Sequence, residues 1–508
     1  MKLFGKTSSL ASSFRSRPFA LFVIAATAYA GMGVRTASAT TFSDPLPMPS
    51  VLSDPNITIH IQQAPVQILP GQATNMWTFN GTFPGPTIRR PSGAHTEITF
   101  INDLPPAPFT GDPEPAGGMT IHFHGEHSNS VDDGQPDSMH PYGMDPPGCG
   151  ATLIPIGCSR KYSFDFTEDG NNPERPAFQW YHDHRMDKTG RNVWMGLAGM
   201  MILDPPAGDH VEDNLPKGDH DVPIMLADRS FDTNNQFHYT FANAGALGDH
   251  VLVNGAFRPY FQVDDAQYRI RVLNASNVRP YDVALSNGAS FKQIGTESGL
   301  LPTPQTITHI RLGPAERADL VIDFAGQTGQ NVILKDLLGF GPDADLMQFQ
   351  VGTHVTDRSF VPDHLRDLPS TVNVHPVVTR TWLLGQTTDQ VNPTWTINGK
   401  AFDPMRDDAE PKLGTSERWV FVNTTGVEHL IHIHDVDWVL VARSGGIPPD
   451  TGANVDLGQL KETFRVRPFE TIVLVSTFTD HTGVFMFHCH ILEHEDHSMM
   501  AQFNVLPA

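Results

Sequence analysis

Three stretches of the chain share one grammar. Phe79-Asn80-Gly81 runs on to Glu97-Ile98-Thr99-Phe100-Ile101-Asn102, and Val253-Asn254-Gly255 to Tyr268-Arg269-Ile270-Arg271-Val272-Leu273-Asn274. Ile397-Asn398-Gly399 runs on to Glu417-Arg418-Trp419-Val420-Phe421-Val422-Asn423. Each is an Asn-Gly turn followed by an alternating strand that closes on Asn, the pairing of turn and strand signals that marks β structure. The turns stand 174 and 144 residues apart, the spacing of whole β-sandwich domains rather than solenoid repeats. Linker-like runs fall between them, Asp204-Pro205-Pro206-Ala207-Gly208 and Val361-Pro362-Asp363 through Pro369, and long helical periodicity is absent. The reading is all-β, with three consecutive Greek-key β-sandwich domains over residues 40–206, 207–368 and 369–508.

Composition agrees. The chain has 508 residues with 43 Gly and 42 Pro, richer in turn formers than the ~12% of ordinary usage. At 18% charged and 39% apolar it is neither disordered, collagenous nor coiled coil. The first 39 residues hold Lys2, Lys6, Arg15, Arg17 and Arg35 and no acid, then an apolar stretch from Pro18 to Val34 and Ala37-Ser38-Ala39. That is the pattern of a cleaved signal peptide, so the expectation is an exported protein, periplasmic or extracellular, with no membrane span after cleavage. The formal net charge is −22, and removing that basic leader makes it more negative still. Such a surface repels nucleic acid and anionic lipid. A monomer is expected. Of three Cys, Cys149 and Cys158 bracket a Gly/Pro-rich segment and would form a loop disulfide in an oxidising compartment, the alternative being two free thiols. Cys489 is left over.

Ten of the 24 His lie in four segments. These are Ile121-His122-Phe123-His124, Tyr181-His182-Asp183-His184, His429-Leu430-Ile431-His432-Ile433-His434, and His488-Cys489-His490-Ile491-Leu492-Glu493-His494. One His-x-His is weak evidence, because a half-buried strand produces it for nothing. Four in one chain are another matter. Residues i and i+2 of a strand share a face about 6.6 Å apart. His122/His124, His182/His184, His432/His434 and His488/His490 are each such a pair, so converging strands would gather eight imidazoles. Cys489 must then point to the opposite face, and so must His429, three residues before His432. Cys489, His494 and Met499, with four residues between each and the next, together with His429 from another strand, form the His₂Cys-plus-Met set of a blue-copper electron-transfer site. Met is a poor zinc ligand, and eight clustered His have no zinc rationale.

These segments resemble the multicopper oxidases, most of all bacterial spore-coat laccases and bilirubin-oxidase-like enzymes. The similarity extends to Phe83-Pro84-Gly85-Pro86 and Gly196-Leu197-Ala198-Gly199. The resemblance implies cupredoxin-like sandwiches and four copper ions. His429, Cys489, His494 and axial Met499 would bind type 1 copper, and His122 and His432 type 2 copper. His124, His182, His184, His434, His488 and His490 would bind the type 3 pair. It implies that a reductant gives electrons singly to the type 1 ion, that they pass through Cys489 to the cluster, and that O₂ becomes two waters. Glu495 and Asp133 fall on the family's proton-supplying positions, Asp132 being the neighbour most easily mistaken for the second. The middle repeat reads Tyr281-Asp282-Val283-Ala284-Leu285 and Val332-Ile333-Leu334-Lys335-Asp336 where the others carry His, so it supplies no ligand and acts as a spacer.

Two departures stand out. Leu430 replaces the usual Pro, which is expected to loosen the loop around the type 1 site. Asp435 replaces the usual Gly, on what is expected to be the substrate side. His127, His140, His481 and His497 fit no ligand slot and are read as solvated or structural, and Ser138–Cys158 as a local insertion. The leading function is oxidation of phenols, aromatic amines or bilinoid pigments. Oxidation of Cu(I), Mn(II) or Fe(II) is the alternative, although no Met-rich insert is visible, and a copper-free envelope protein is a remote one, since every ligand position is filled. Three repeats exclude a two-domain nitrite reductase.

Overall fold

Asn80, Asn254 and Asn398 all take left-handed φ, at 55°, 48° and 54°, and each following Gly does the same. Two consecutive left-handed residues make the turn whose twist suits a hairpin. In the computed structural model, which describes residues 42–106, 117–136, 149, 153–170, 172–339, 344–372, 375–387, 394–448 and 456–508, the three copies also share their hydrogen bonds. The side-chain oxygens of Asn80, Asn254 and Asn398 accept from the main-chain N–H of His60, Met225 and Leu383 at 2.7–2.8 Å. The strand-closing Asn102, Asn274 and Asn423 each accept from the N–H two residues on and donate to carbonyls across a loop. The repeated Asn is thus a fastener for the end of one strand, and that explains its recurrence.

Each repeat builds two sheets. Sheets of four and five strands cover residues 51–204, sheets of seven and five cover 221–354, and sheets of six and four cover 378–505. In each, the strand that closes on Asn runs parallel to an earlier one: 97–102 beside 56–61, 269–274 beside 221–226, 417–423 beside 378–384. Three apolar cores fill the sandwiches, centred on Phe100 and Trp77, on Val272 and Phe349, and on Trp419 and Phe487. The protein is all-β, three cupredoxin-like sandwiches in sequence. Among the described residues helix is confined to short segments, including Thr189–Trp194 and Leu492–Asp496, and none is long and apolar enough to cross a membrane.

The register of two strand pairs sets up the site. In the first sandwich Ile121–His124 pairs antiparallel with Phe178–Asp183, with His122 opposite His182. In the third, His429–Ile433 pairs antiparallel with Gly483–Cys489, with His432 opposite His488 and Ile431 opposite Cys489. Directly opposed residues share a face, so both pairs present His together and send Cys489 to the other side. Residues 1–39, His140 and most of the Ser138–Cys158 insertion lie outside the described residues. Cys149 and Cys158 are joined in a disulfide.

Candidate metal centre

The two His-bearing strand pairs meet across the first and third sandwiches. His122 stacks on His434 with ring centroids 3.9 Å apart, and His124 on His432 at 3.6 Å. Donor atoms gather in three groups: His122, His124 and His432; His124, His182 and His490; His184, His434 and His488. All eight rings are buried. Nδ1 of His122 faces the Asp133 carbonyl at 2.6 Å, that of His182 the Asp183 carbonyl at 2.8 Å, and that of His432 the Glu462 carbonyl at 3.2 Å. Nδ1 of His488 faces the Cys489 carbonyl, and Nδ1 of His434 donates to an Asp133 carboxylate oxygen at 2.8 Å. A carbonyl only accepts, so these Nδ1 atoms carry the hydrogen and leave Nε2 lone pairs turned inward.

That arrangement is a test of the donors. His122 and His432 present Nε2 to Nε2 at 3.3 Å, and His434 and His488 at 3.2 Å, with no proton available between them. Nε2 of His124 and of His182, Nδ1 of His184, and both nitrogens of His490 have no hydrogen-bond partner among the described residues. Inward lone pairs this close, in a buried interior, fit a group of cations and little else. Burial, and then the neighbouring imidazoles, hold His124, His184, His432 and His434 far below the ordinary pKa of imidazole, and so in the neutral, ligating form.

On the opposite face Cys489 Sγ lies 3.6 Å from His429 Nδ1 and 3.5 Å from His494 Nδ1, and the two nitrogens are 3.2 Å apart. A triangle of that size suits one ion at ordinary metal–ligand lengths. The strand His429–Ile433 brings His429, its partner Gly483–Cys489 brings Cys489, and the five-residue helix Leu492–Asp496 brings His494. The Cys489 N–H donates to the Met499 carbonyl and the Met499 N–H to the His494 carbonyl, closing the loop so that Met499 is buried in the same core as Cys489. Burial pushes the Cys489 thiol up to about 12 and holds His429 down at about 3. The thiolate therefore needs a metal beside it.

Acids complete the surroundings. Asp133, and not Asp132, reaches the cluster, with its two oxygens on His122 and His434, and burial raises its pKa. Asp132 accepts from Asn129 instead. Glu495 is buried with one oxygen 3.7 Å from His184 Nε2 and the other 3.1 Å from His488 Nδ1. Two groups escaped sequence reasoning. Glu462 accepts from His124 Nδ1, and Arg317 of the middle sandwich pairs with Glu462 and donates to the His124 carbonyl. The middle sandwich is thus more than a spacer. A buried Arg inside the strand Arg317–Asp323 was the available signal, but it fits a structural ion pair equally well.

Other expectations need correcting. Leu430 lies in a strand and not in a loop: it is buried, pairs with Arg465, and its carbonyl accepts from the His490 N–H. Asp435 does not face a substrate; it is buried against His481, next in the chain to His434. Of the two readings of His127, solvated or structural, the structural one holds: it sits between Asp480 and Asp437. His497 is held by Asn243. The surface opening beside the thiolate site is a cavity of about 410 Å³ lined by His494, Leu430, Ile491 and Arg311 among others.

A thiolate–imidazole site whose Cys is the chain neighbour of two residues in an eight-imidazole cluster defines a copper oxidase. Multicopper oxidase domains match residues 60–208 and 376–508. The chain is 31% identical over 482 residues to a laccase of Bacillus subtilis, covering 85% of this chain and 90% of the relative. It is 32% identical over 511 residues to a bilirubin oxidase of Albifimbria verrucaria, covering 92% and 82%. The crystal structure of a laccase from Pediococcus acidilactici superposes with a TM-score of 0.78 at 30% identity over 92% of this chain and 95% of that one. The chain belongs to the multicopper oxidase family. It is a laccase-like oxidoreductase that uses copper, O₂ and a reductant.

Proposed function

We propose that the reductant is a phenol, an aromatic amine or a bilinoid pigment, and that four copper ions serve the reaction. When bound, copper supplies one-electron oxidation at the thiolate site and four-electron reduction of O₂ to water among the eight histidines. His429, Cys489, His494 and Met499 would hold the type 1 ion, His122 and His432 the type 2 ion. His124, His182, His184, His434, His488 and His490 would hold the type 3 pair. The observation that carries this reading is Cys489 itself: its sulfur lies on one face while its neighbours His488 and His490 belong to the cluster on the other. The main chain at Cys489 joins the two donor sets by covalent bonds.

The protein's own groups have distinct tasks. Nδ1 of His494 faces Cys489 while the residue also lines the surface cavity, so a reductant there comes within one imidazole of the thiolate site. Making water consumes four protons, and Asp133 and Glu495 are buried carboxyl groups in contact with cluster imidazoles, placed to hold and hand over a proton. Glu462, pushed up to about 7 by burial against the pull of Arg317, fixes His124 in its ligating tautomer. The apolar lining of the cavity supports organic rings over aquated metal ions. Export after removal of residues 1–39, to the periplasm or outside the cell, is part of the proposal, as are a monomer and domains at 40–206, 207–368 and 369–508. The Cys149–Cys158 disulfide supports an oxidising compartment.

Anomalous diffraction at the copper edge from fully loaded crystals is expected to give four peaks, one beside Cys489 and three among the histidines; fewer overturns the ion count. In steady-state oxygen uptake, phenols and bilirubin are expected to exceed Mn(II), Fe(II) and Cu(I) in kcat/KM. A metal ion that outpaces every organic reductant moves the reading to metal oxidation.

A further inference from the structure

Charge is distributed unevenly in this chain. Against a formal net charge of −22, the described residues that line the cavity beside His494 include three guanidinium groups, Arg311, Arg465 and Arg467, and one carboxylate, Glu428. Arg467 is matched by Glu470 at 2.7 Å. Glu428 lies between Arg311 and Arg465, at 3.5 and 3.7 Å. The Arg311 side chain is 35% exposed, on the strand His309–Leu312 of the middle sandwich. At 3.5 Å its ion pair with Glu428 is at the limit of a hydrogen bond, while a guanidinium has five N–H groups to offer a planar anion. The rest of the rim is greasy: Ile447 is 60% exposed and Val427 40%, above the buried Leu430 and Ile491. About 410 Å³ is the volume of a small-molecule site.

Resting on the laccase-like reading of this site, we propose that the cavity selects aromatic reductants that carry an anionic group, a carboxylate above all, with the ring on the apolar rim beside His494 and the anion on Arg311. Arg465 adds positive charge behind Glu428. The same field works against Mn(II), Fe(II) and ammonium-bearing rings, which meet the Arg311 guanidinium at the rim. The middle sandwich contributes selectivity in this way although it holds no copper ligand. Elsewhere the acidic surface repels anions, so the positive mouth directs them to one place.

The test uses copper-loaded enzyme and three phenols with one 2,6-dimethoxyphenol ring, bearing an acetate, its methyl ester or an aminomethyl group; the methylene spacer keeps the ring chemistry nearly constant. At low ionic strength the acetate is expected to exceed the amine in kcat/KM by about tenfold, the ratio shrinking at ~0.5 M salt. Arg311→Glu is expected to cut that ratio by about tenfold and Arg311→Gln by less. A second readout needs no turnover: calorimetry with 3,4,5-trimethoxyphenylacetate, which has no phenolic hydroxyl, is expected to give weaker binding to both variants than to the parent. If all three phenols are oxidised with no charge order, or with the amine ahead, selection by charge is overturned and the laccase-like reading stands. If a blue, fully loaded enzyme oxidises none of them, that reading falls and the proposal with it.

Discussion

Cys489 is the residue on which most depends. Buried and pushed up to about 12, its thiol holds its proton until a metal arrives, so loading the site must release that proton to solvent. Cys489→Ser is expected to abolish the visible colour and reduce turnover to background, with an unchanged far-ultraviolet circular dichroism spectrum; a blue and active variant would refute its role. Strand alternation was enough to place Cys489 opposite His488 and His490, because parity is a local property that the sequence carries directly. The partnership of Arg317 with Glu462 was not legible: nothing local links positions 317 and 462, and each alone reads as an ordinary charge in a strand. Asp435 misled for a related reason. A side chain's distance along the chain from a ligand says little about which face it will take when φ turns left-handed, here 73°.

At the scale of elements, the loop before the second half of the cluster is set by one glycine. Gly134 has φ +81°, and a Cβ there would meet the Ile121 carbonyl at 2.5 Å and His122 Cα at 2.7 Å. That contact lets the turn lie flat on strand Ile121–His124, which is how Asp133 comes to touch both His122 and His434. Gly134→Ala is expected to lower the copper-to-protein ratio and turnover, and to cost roughly 1–3 kcal/mol in backbone strain, seen as a lower Tm. An unchanged copper content would mean that the loop tolerates displacement. Repetition made other elements readable. The Asn-Gly turns and closing Asn residues were visible three times because each makes the same bonds in each sandwich. The loop with Asp133 occurs once, so no internal comparison could mark Gly134 as more than a turn residue.

Across the whole molecule the sandwiches are tied by charge as well as by metal donors. Asp221 of the middle sandwich is buried, bonded to Arg271 of its own sheet and, at 2.9 Å, to Arg89 of the first. Burial opposes its ionisation, but Arg271, Arg269 and Arg89 outweigh that and hold it well below the ordinary carboxylate range. A depressed folded-state pKa adds stability that is full above the unfolded value of ~3.9 and is lost as pH falls toward the folded one. Asp221→Asn is expected to destabilise by about 3–5 kcal/mol at pH 7, since it strands buried guanidinium groups, and to flatten the acid limb of a Tm-against-pH curve. Copper removal by a chelator is expected to lower Tm by about 10 °C, as ligands that bind only the folded state contribute a few kcal/mol; an unchanged Tm would mean that the seam holds without ions. The three-sandwich plan was legible from repeats, whereas the seams between sandwiches depend on pairs such as Arg89 and Asp221 that no period announces. The cluster draws donors from residue 122 through residue 490. No partial chain that lacks His490 can therefore fill it: charging with metal waits for that residue, and a polypeptide cut short before Cys489 is expected to stay colourless, an inspection of the nascent chain carried out by the metal itself.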